Sequence, residues 1–152
     1  MVDVLVVAEV QGAAPSRNTL EVLGAARRLA DATHGTVKTA VLGGSVQGLA
    51  AALFGGGSDE VLCVEHQLLV TPEPDAIVAA LTQVVPDAAA QVVLLADDST
   101  AREVAPRLAH RLQAGLVTEI SAIQAEEQAV VLRRAIYGGR CLAEIVASRF
   151  PV

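Results

Sequence analysis

Gln91-Val92-Val93-Leu94-Leu95-Ala96-Asp97-Asp98-Ser99-Thr100, continuing through Ala101 to Gln113 and on to Gly115, decides how this chain folds. A short unbroken apolar run bounded by turn residues reads as a strand covered on both faces, as in parallel sheets packed between helices. The residues after it predict a helix. Thr100 and Glu103 have the spacing of a reciprocal capping box, and Val104, Leu108 and Leu112 recur every four residues along one face. Gly115 is placed to end that helix in a left-handed turn. The stretch is therefore a βα unit, and its apolar strand is expected in the middle of a sheet. Ligands of open α/β sheets sit outside the carboxyl ends of the strands, so the Asp97-Asp98 corner is the first place to look for function.

Working outward, Asp3 to Ala8 predicts the first strand. A helix beginning near Ser16 or Asn18 follows, with Asn18 and Glu21 at capping spacing, and it ends at His34-Gly35. Thr36 to Leu42 is the second strand, Val46 to Phe54 a short helix and Glu60 to Val64 the third strand. A helix opened by Pro72-Glu73-Pro74-Asp75 leads into the unit described first. Beyond Gly115 the pieces Ile120 to Ile123, Val130 to Arg133 and Leu142 to Ala147 are joined by polar or glycine turns, which predicts antiparallel or edge strands. The chain thus reads as one α/β domain over 1–152. Its expected form is a three-layer open sheet, with a parallel core, helices on both faces and a small antiparallel β tail over 115–148.

Composition narrows the possibilities. The 152 residues suffice for one domain, and 53% are hydrophobic while only 2% are aromatic, so Val, Leu, Ile and Ala must build the core. A formal charge of −6, with Lys38 as the only lysine, argues against nucleic acid or an anionic membrane surface as partner. No apolar run approaches the roughly 20 residues that span a bilayer, and no export signal opens the chain, so a soluble, cytoplasmic protein is expected. Cys63 and Cys141 lack metal-knuckle spacing and read as buried reduced thiols.

Few residues suggest chemistry. Gly43-Gly44-Ser45-Val46-Gln47-Gly48 lies between a strand and a helix, the context of a phosphate loop, but lacks the Gly-Lys-Ser/Thr ending and the dinucleotide spacing. Gly43, Gly44, Ser45 and Gly48 are thus candidates for holding a nucleotide, against the plainer reading of a tight turn. Asp97 and Asp98 would complement the helix dipole and repel a phosphate. His34, His66 and His110 have no nucleophile or acid at a recognised catalytic spacing. Neither catalytic nor metal residues are expected.

Several segments carry a resemblance: Val4-Leu5-Val6-Val7-Ala8-Glu9, Gly24-Ala25-Ala26-Arg27-Arg28-Leu29-Ala30, Ala105-Pro106-Arg107-Leu108-Ala109, Ala114-Gly115-Leu116-Val117-Thr118, and Ile136-Tyr137-Gly138-Gly139 with Arg133 before it. In order and across nearly the whole chain, they resemble the amino-terminal domain of the electron-transfer flavoprotein alpha subunit. Two positions depart: Ala101 stands before Arg102 where the family usually has glycine, and Arg140 follows the double glycine where Asn or Lys is common. The resemblance implies an adenine-nucleotide alpha-hydrolase-like fold and a scaffold for a beta-like subunit, or for a second copy of the chain. It implies no FAD on these residues, because the family binds FAD through a carboxy-terminal domain whose linker would begin about where Arg149-Phe150-Pro151-Val152 stands. Arg102, Arg107, Tyr137, Gly138, Gly139 and Arg140 are the predicted interface residues. A small AMP- or ATP-binding module is the alternative, and a hydrolase lacks identifiable residues for activating water.

Overall fold

The computed structural model describes residues 1–126 and 129–147; Ser148, the last residue of the predicted tail, and the 149–152 terminus lie outside them. Val4–Ala8 (β1) is followed by a two-stranded ribbon, Val10–Gln11 (β2) and Ala14–Pro15 (β3), closed at Gly12 with φ 64°. The chain continues through Arg17–Thr33 (α1), Val37–Gly43 (β4), a 3₁₀ turn at Gln47–Leu49, Ala50–Gly55 (α2) and Glu60–Glu65 (β5). Pro74–Ala88 (α3), Val92–Leu95 (β6) and Ser99–Leu112 (α4) complete the α/β part. Ile120–Glu126 (β7), Ala129–Ile136 (β8) and Cys141–Ala147 (β9) form the tail.

The parallel sheet has the order β5-β4-β1-β6, with Val4 opposite both Val37 and Val92. This corrects the expected position of the Val92–Leu95 strand. Among the described residues β6 is an edge, and β1 takes the place beside it with neighbours on both sides. The apolar run of β6 reports that both of its faces are covered, and edge or centre makes no difference to that. On one face Val92 and Leu94 pack with Leu23, Ala26 and Leu29 of α1 and with Val130 and Leu132 of β8. On the other, Leu5 and Ala40 meet Val78, Leu81 and Val85 of α3 and Val104 and Leu108 of α4, with Val93 and Leu95 beside them.

The tail is a separate antiparallel sheet, β7-β8-β9, as expected. Its inner face closes the α1 side of the core through Val130, Leu132 and Ala147. Both cysteines are corrected from buried to exposed, because Cys63 is on the outer strand β5 and Cys141 begins the outer strand β9.

Helix boundaries follow local chemistry. Ser16 caps α1, its Oγ accepting from Thr19 N at 3.1 Å, so the Asn18–Glu21 spacing is not the cap. For α4 the cap is Asp98, whose Oδ1 accepts from Ala101 N at 2.6 Å, and Thr100 lies inside the first turn. The helix ends at Gln113 in the left-handed conformation, φ 53°, two residues before Gly115. Pro106 removes one ladder donor yet α4 runs on through it, and Pro86 sits likewise near the end of α3.

Candidate functional site

The carboxyl ends of β1, β4 and β6 open into a cavity of about 490 Å³, within the roughly 300–1,000 Å³ range of small-molecule sites. It is placed by topology: the chain winds from β1 to β4 on one side and later returns to β6 on the other, leaving the crevice where the order reverses. The cavity joins two regions that the sequence treats separately. Gly43, Gly44 and Ser45 line it from one side, and Asp98, Thr100 and Ala101 from the other. Gly48 does not line it, and a Cβ there would meet nothing.

The glycine loop has a structural reason to be glycine. A Cβ on Gly43 would lie 2.5 Å from Val46 Cγ1, and one on Gly44 would lie 2.5 Å from Val70 Cγ2. These close approaches are to the protein's own valines. The amides of the loop are also taken: Glu65 Oε1, at the end of β5, accepts from Val46 N at 2.7 Å and Gln47 N at 3.2 Å. A carboxylate held by successive backbone amides occupies the place that a phosphate would take in an anion-binding turn.

Two helix starts on this rim are likewise capped by the protein's own side chains. Asp98 caps α4 and Ser16 caps α1. Asp97 is paired with Arg102, whose Nε and Nη2 donate to its two carboxylate oxygens at 2.8 and 3.2 Å. That hydrogen bond, with the guanidinium charge, holds the Asp97 carboxyl below the usual carboxylate range and raises the Arg102 guanidinium. Thr19 Oγ1 binds β1 to α1 by accepting from Glu9 N at 2.8 Å and donating to Glu9 O at 3.1 Å. Glu9 lines the cavity, and its Oε2 is shut from solvent without a hydrogen-bond partner. Glu65 and Glu9 are the two site residues that sequence reasoning missed. Each is an acid at the carboxyl end of an apolar strand, and that position is the signal that could have found them.

Among the described residues no catalytic constellation comes together. His34, His66 and His110 are exposed, and His66 Nδ1 merely accepts from Leu68 N at 3.2 Å. Among the described residues no group of three or more His, Cys, Asp or Glu could hold a metal ion.

The predicted interface residues fall in two places. Arg102 stands at the start of α4 and feels the charge of Glu119, which pairs with Arg134 of β8 at 3.0 Å. Arg107 is turned instead to α3, where Asp75 accepts from its Nη1 at 2.7 Å. Tyr137, Gly138, Gly139 and Arg140 make the turn between β8 and β9, with the first three at positive φ and Tyr137 78% exposed. Leu142 beside the turn and Val146 farther along the outer strand β9 are also exposed.

Comparison with known proteins gives this arrangement a family. A family described as electron transfer flavoprotein domain matches residues 4–152. The chain is 28% identical to an electron transfer flavoprotein subunit alpha of Thermoanaerobacterium thermosaccharolyticum, over 94% of this chain and 44% of that protein. It is 31% identical to the same subunit of Syntrophomonas wolfei, over 88% of this chain and 41% of that protein. An acryloyl-CoA reductase electron transfer subunit beta of Anaerotignum propionicum is 25% identical, over 86% and 42%. The chain thus spans less than half the length of these relatives. With a match running nearly from end to end, the chain belongs to the electron transfer flavoprotein domain family.

Proposed function

We propose that this chain is a subunit-interaction scaffold of a cytoplasmic electron-transfer flavoprotein system, docking on a beta-like subunit or on a second copy of itself, and that it neither binds FAD nor catalyses a reaction. The observation that carries this reading is the occupation of the glycine loop and of two helix starts on the carboxyl rim by the protein's own groups: Glu65 on Val46 and Gln47, Asp98 on α4, Ser16 on α1. FAD brings a pyrophosphate, and no Lys, Arg or His lines the cavity to receive it. The residues present do not fit that group. The relatives named above as electron transfer subunits support the carrier role, and no described helix is long and apolar enough to cross a membrane.

The alternative, an AMP- or ATP-binding module, has the cavity in its favour and the same missing donors against it. Titrating the purified chain with FAD tests the leading reading. Unchanged flavin fluorescence is the expected result, and saturable one-to-one binding would sink it.

A further inference from the structure

The two edges of the antiparallel tail differ in how they are guarded. β7 shifts register between Ile120 and Ala122, and an irregularity of that kind twists an edge away from new partners. β9 pairs with β8 from Ala147 to Cys141 without a shift, contains neither Lys nor Pro, and has no strand on its other side among the described residues. A regular edge of this length presents a row of open backbone donors and acceptors. Its side chains are unguarded too. Leu142, 68% exposed, Glu144 and the exposed Val146 alternate onto one sheet face. Glu144, the one charged residue of the strand, accepts from Arg133 Nε at 2.6 Å within its own chain, and Arg140 stands exposed just before the strand.

The order of these residues is complementary to itself. Two copies of β9 related by a two-fold axis pair antiparallel with side chains of the same face opposite each other. Centred on Leu142, the pairing sets Leu142 against its own copy, Cys141 against Ala143, and Arg140 against Glu144 on both sides of the axis. Centred on Glu144, it sets two carboxylates opposite; centred on Ala143 or Ile145, it sets Glu144 against Leu142 or Val146. Opposite charges and apolar pairs across strands stabilise, and like charges destabilise. The formal charge of −6 on each chain opposes self-association, but beyond about 8 Å it is screened at physiological salt, whereas cross-strand contacts lie closer than that.

We propose that β9 is a strand-addition edge whose occupant is β9 of a second copy, in the register centred on Leu142, joining the two three-stranded tail sheets into one across a two-fold axis. Such a dimer is the second-copy form of the docking proposed above and rests on that reading.

The test is the mass of the intact chain by light scattering after size exclusion, with a thermal melt to show that each variant is folded. The wild type should be a dimer. L142K and L142E should each dissociate at least about tenfold more readily, because each sets like charges opposite at the axis. Mixed one to one, the two variants should dimerise again, with Lys opposite Glu, and native mass spectrometry should find the mixed pair. That recovery is particular to a register in which position 142 faces itself. A wild-type dimer that both variants leave intact, or two folded variants that do not recover on mixing, would overturn the proposal and leave the docking reading standing. So would a wild-type chain that is monomeric alone yet binds a beta subunit, whereas a monomer with and without the beta subunit would end both.

Discussion

Glu65 Oε1 accepts a hydrogen bond from Val46 N at 2.7 Å, so the end of one parallel strand caps the loop that leaves its neighbour. Glu65→Ala strips the acceptor from both Val46 N and Gln47 N and should lower stability by about 1–2 kcal/mol, the range for losing a cap or a charged hydrogen bond. Urea unfolding measures it. The same variant should gain a thermal shift with inorganic phosphate that the wild type lacks, because the vacated amides become an anion site.

Asp98 and Thr100 give opposite expectations for α4. Asp98→Ala removes the acceptor for Ala101 N and should cost about 0.5–2 kcal/mol. Thr100 is exposed within the helix, so Thr100→Ala should stay within about 0.5 kcal/mol. Equal losses from the two substitutions in chemical denaturation would contradict Asp98 as the cap.

Asp59 links three elements. Its Oδ2 accepts from Val37 N and from Arg27 Nη1, both at 2.8 Å. The backbone bond from Val37 is the first cause that holds this carboxyl below its usual range, with the Arg27 hydrogen bond and charge adding to it. Because the folded value is lower than the unfolded one, the ionised group's contribution is complete above about pH 4 and is lost as pH falls through the folded value. Asp59→Asn should therefore flatten the acid side of a stability profile below about pH 4. At neutral pH the loss should be no more than about 1 kcal/mol, since the side chain is half exposed and its ion pair is screened.

The β8–β9 turn is expected to serve docking. Tyr137 is at φ 51°, a conformation that Asn tolerates, so Tyr137→Asn removes the exposed ring and keeps the turn. With Arg140→Ala, it should weaken capture of a beta-like subunit about fivefold or more, as the loss of interface aromatic and arginine side chains commonly does. Melting should be nearly unchanged. Surface-plasmon measurements with wild-type affinity for both variants would remove this turn from the interface.

Much of the fold was legible because the periodicities were strong. Val4–Ala8 and Val92–Leu95 are apolar on both faces, and the structure covers both faces. The same signal misplaced Val92–Leu95, since coverage by α1, β8, α3 and α4 says nothing about how many strands lie alongside. Cys63 and Cys141 failed for a related reason: strand membership was readable, but whether the strand is the outer one was not. The cap of α4 was hidden by a competing match, for Thr100–Glu103 has the spacing of a capping box while Asp98 has the geometry. At the site, Gly43 and Gly44 were visible by residue type, whereas the Glu65 carboxylate that fills their loop comes from 18 or more residues away in sequence and needed the β4–β5 pairing to be seen.

The central claim is that this chain docks on a beta-like subunit or on itself. Light scattering after size exclusion, on the chain alone and mixed with an electron-transfer flavoprotein beta subunit from the same organism, tests it most directly. A one-to-one complex in the mixture, or a homodimer of the chain alone, is the expected result. A monomer in both samples would contradict the account.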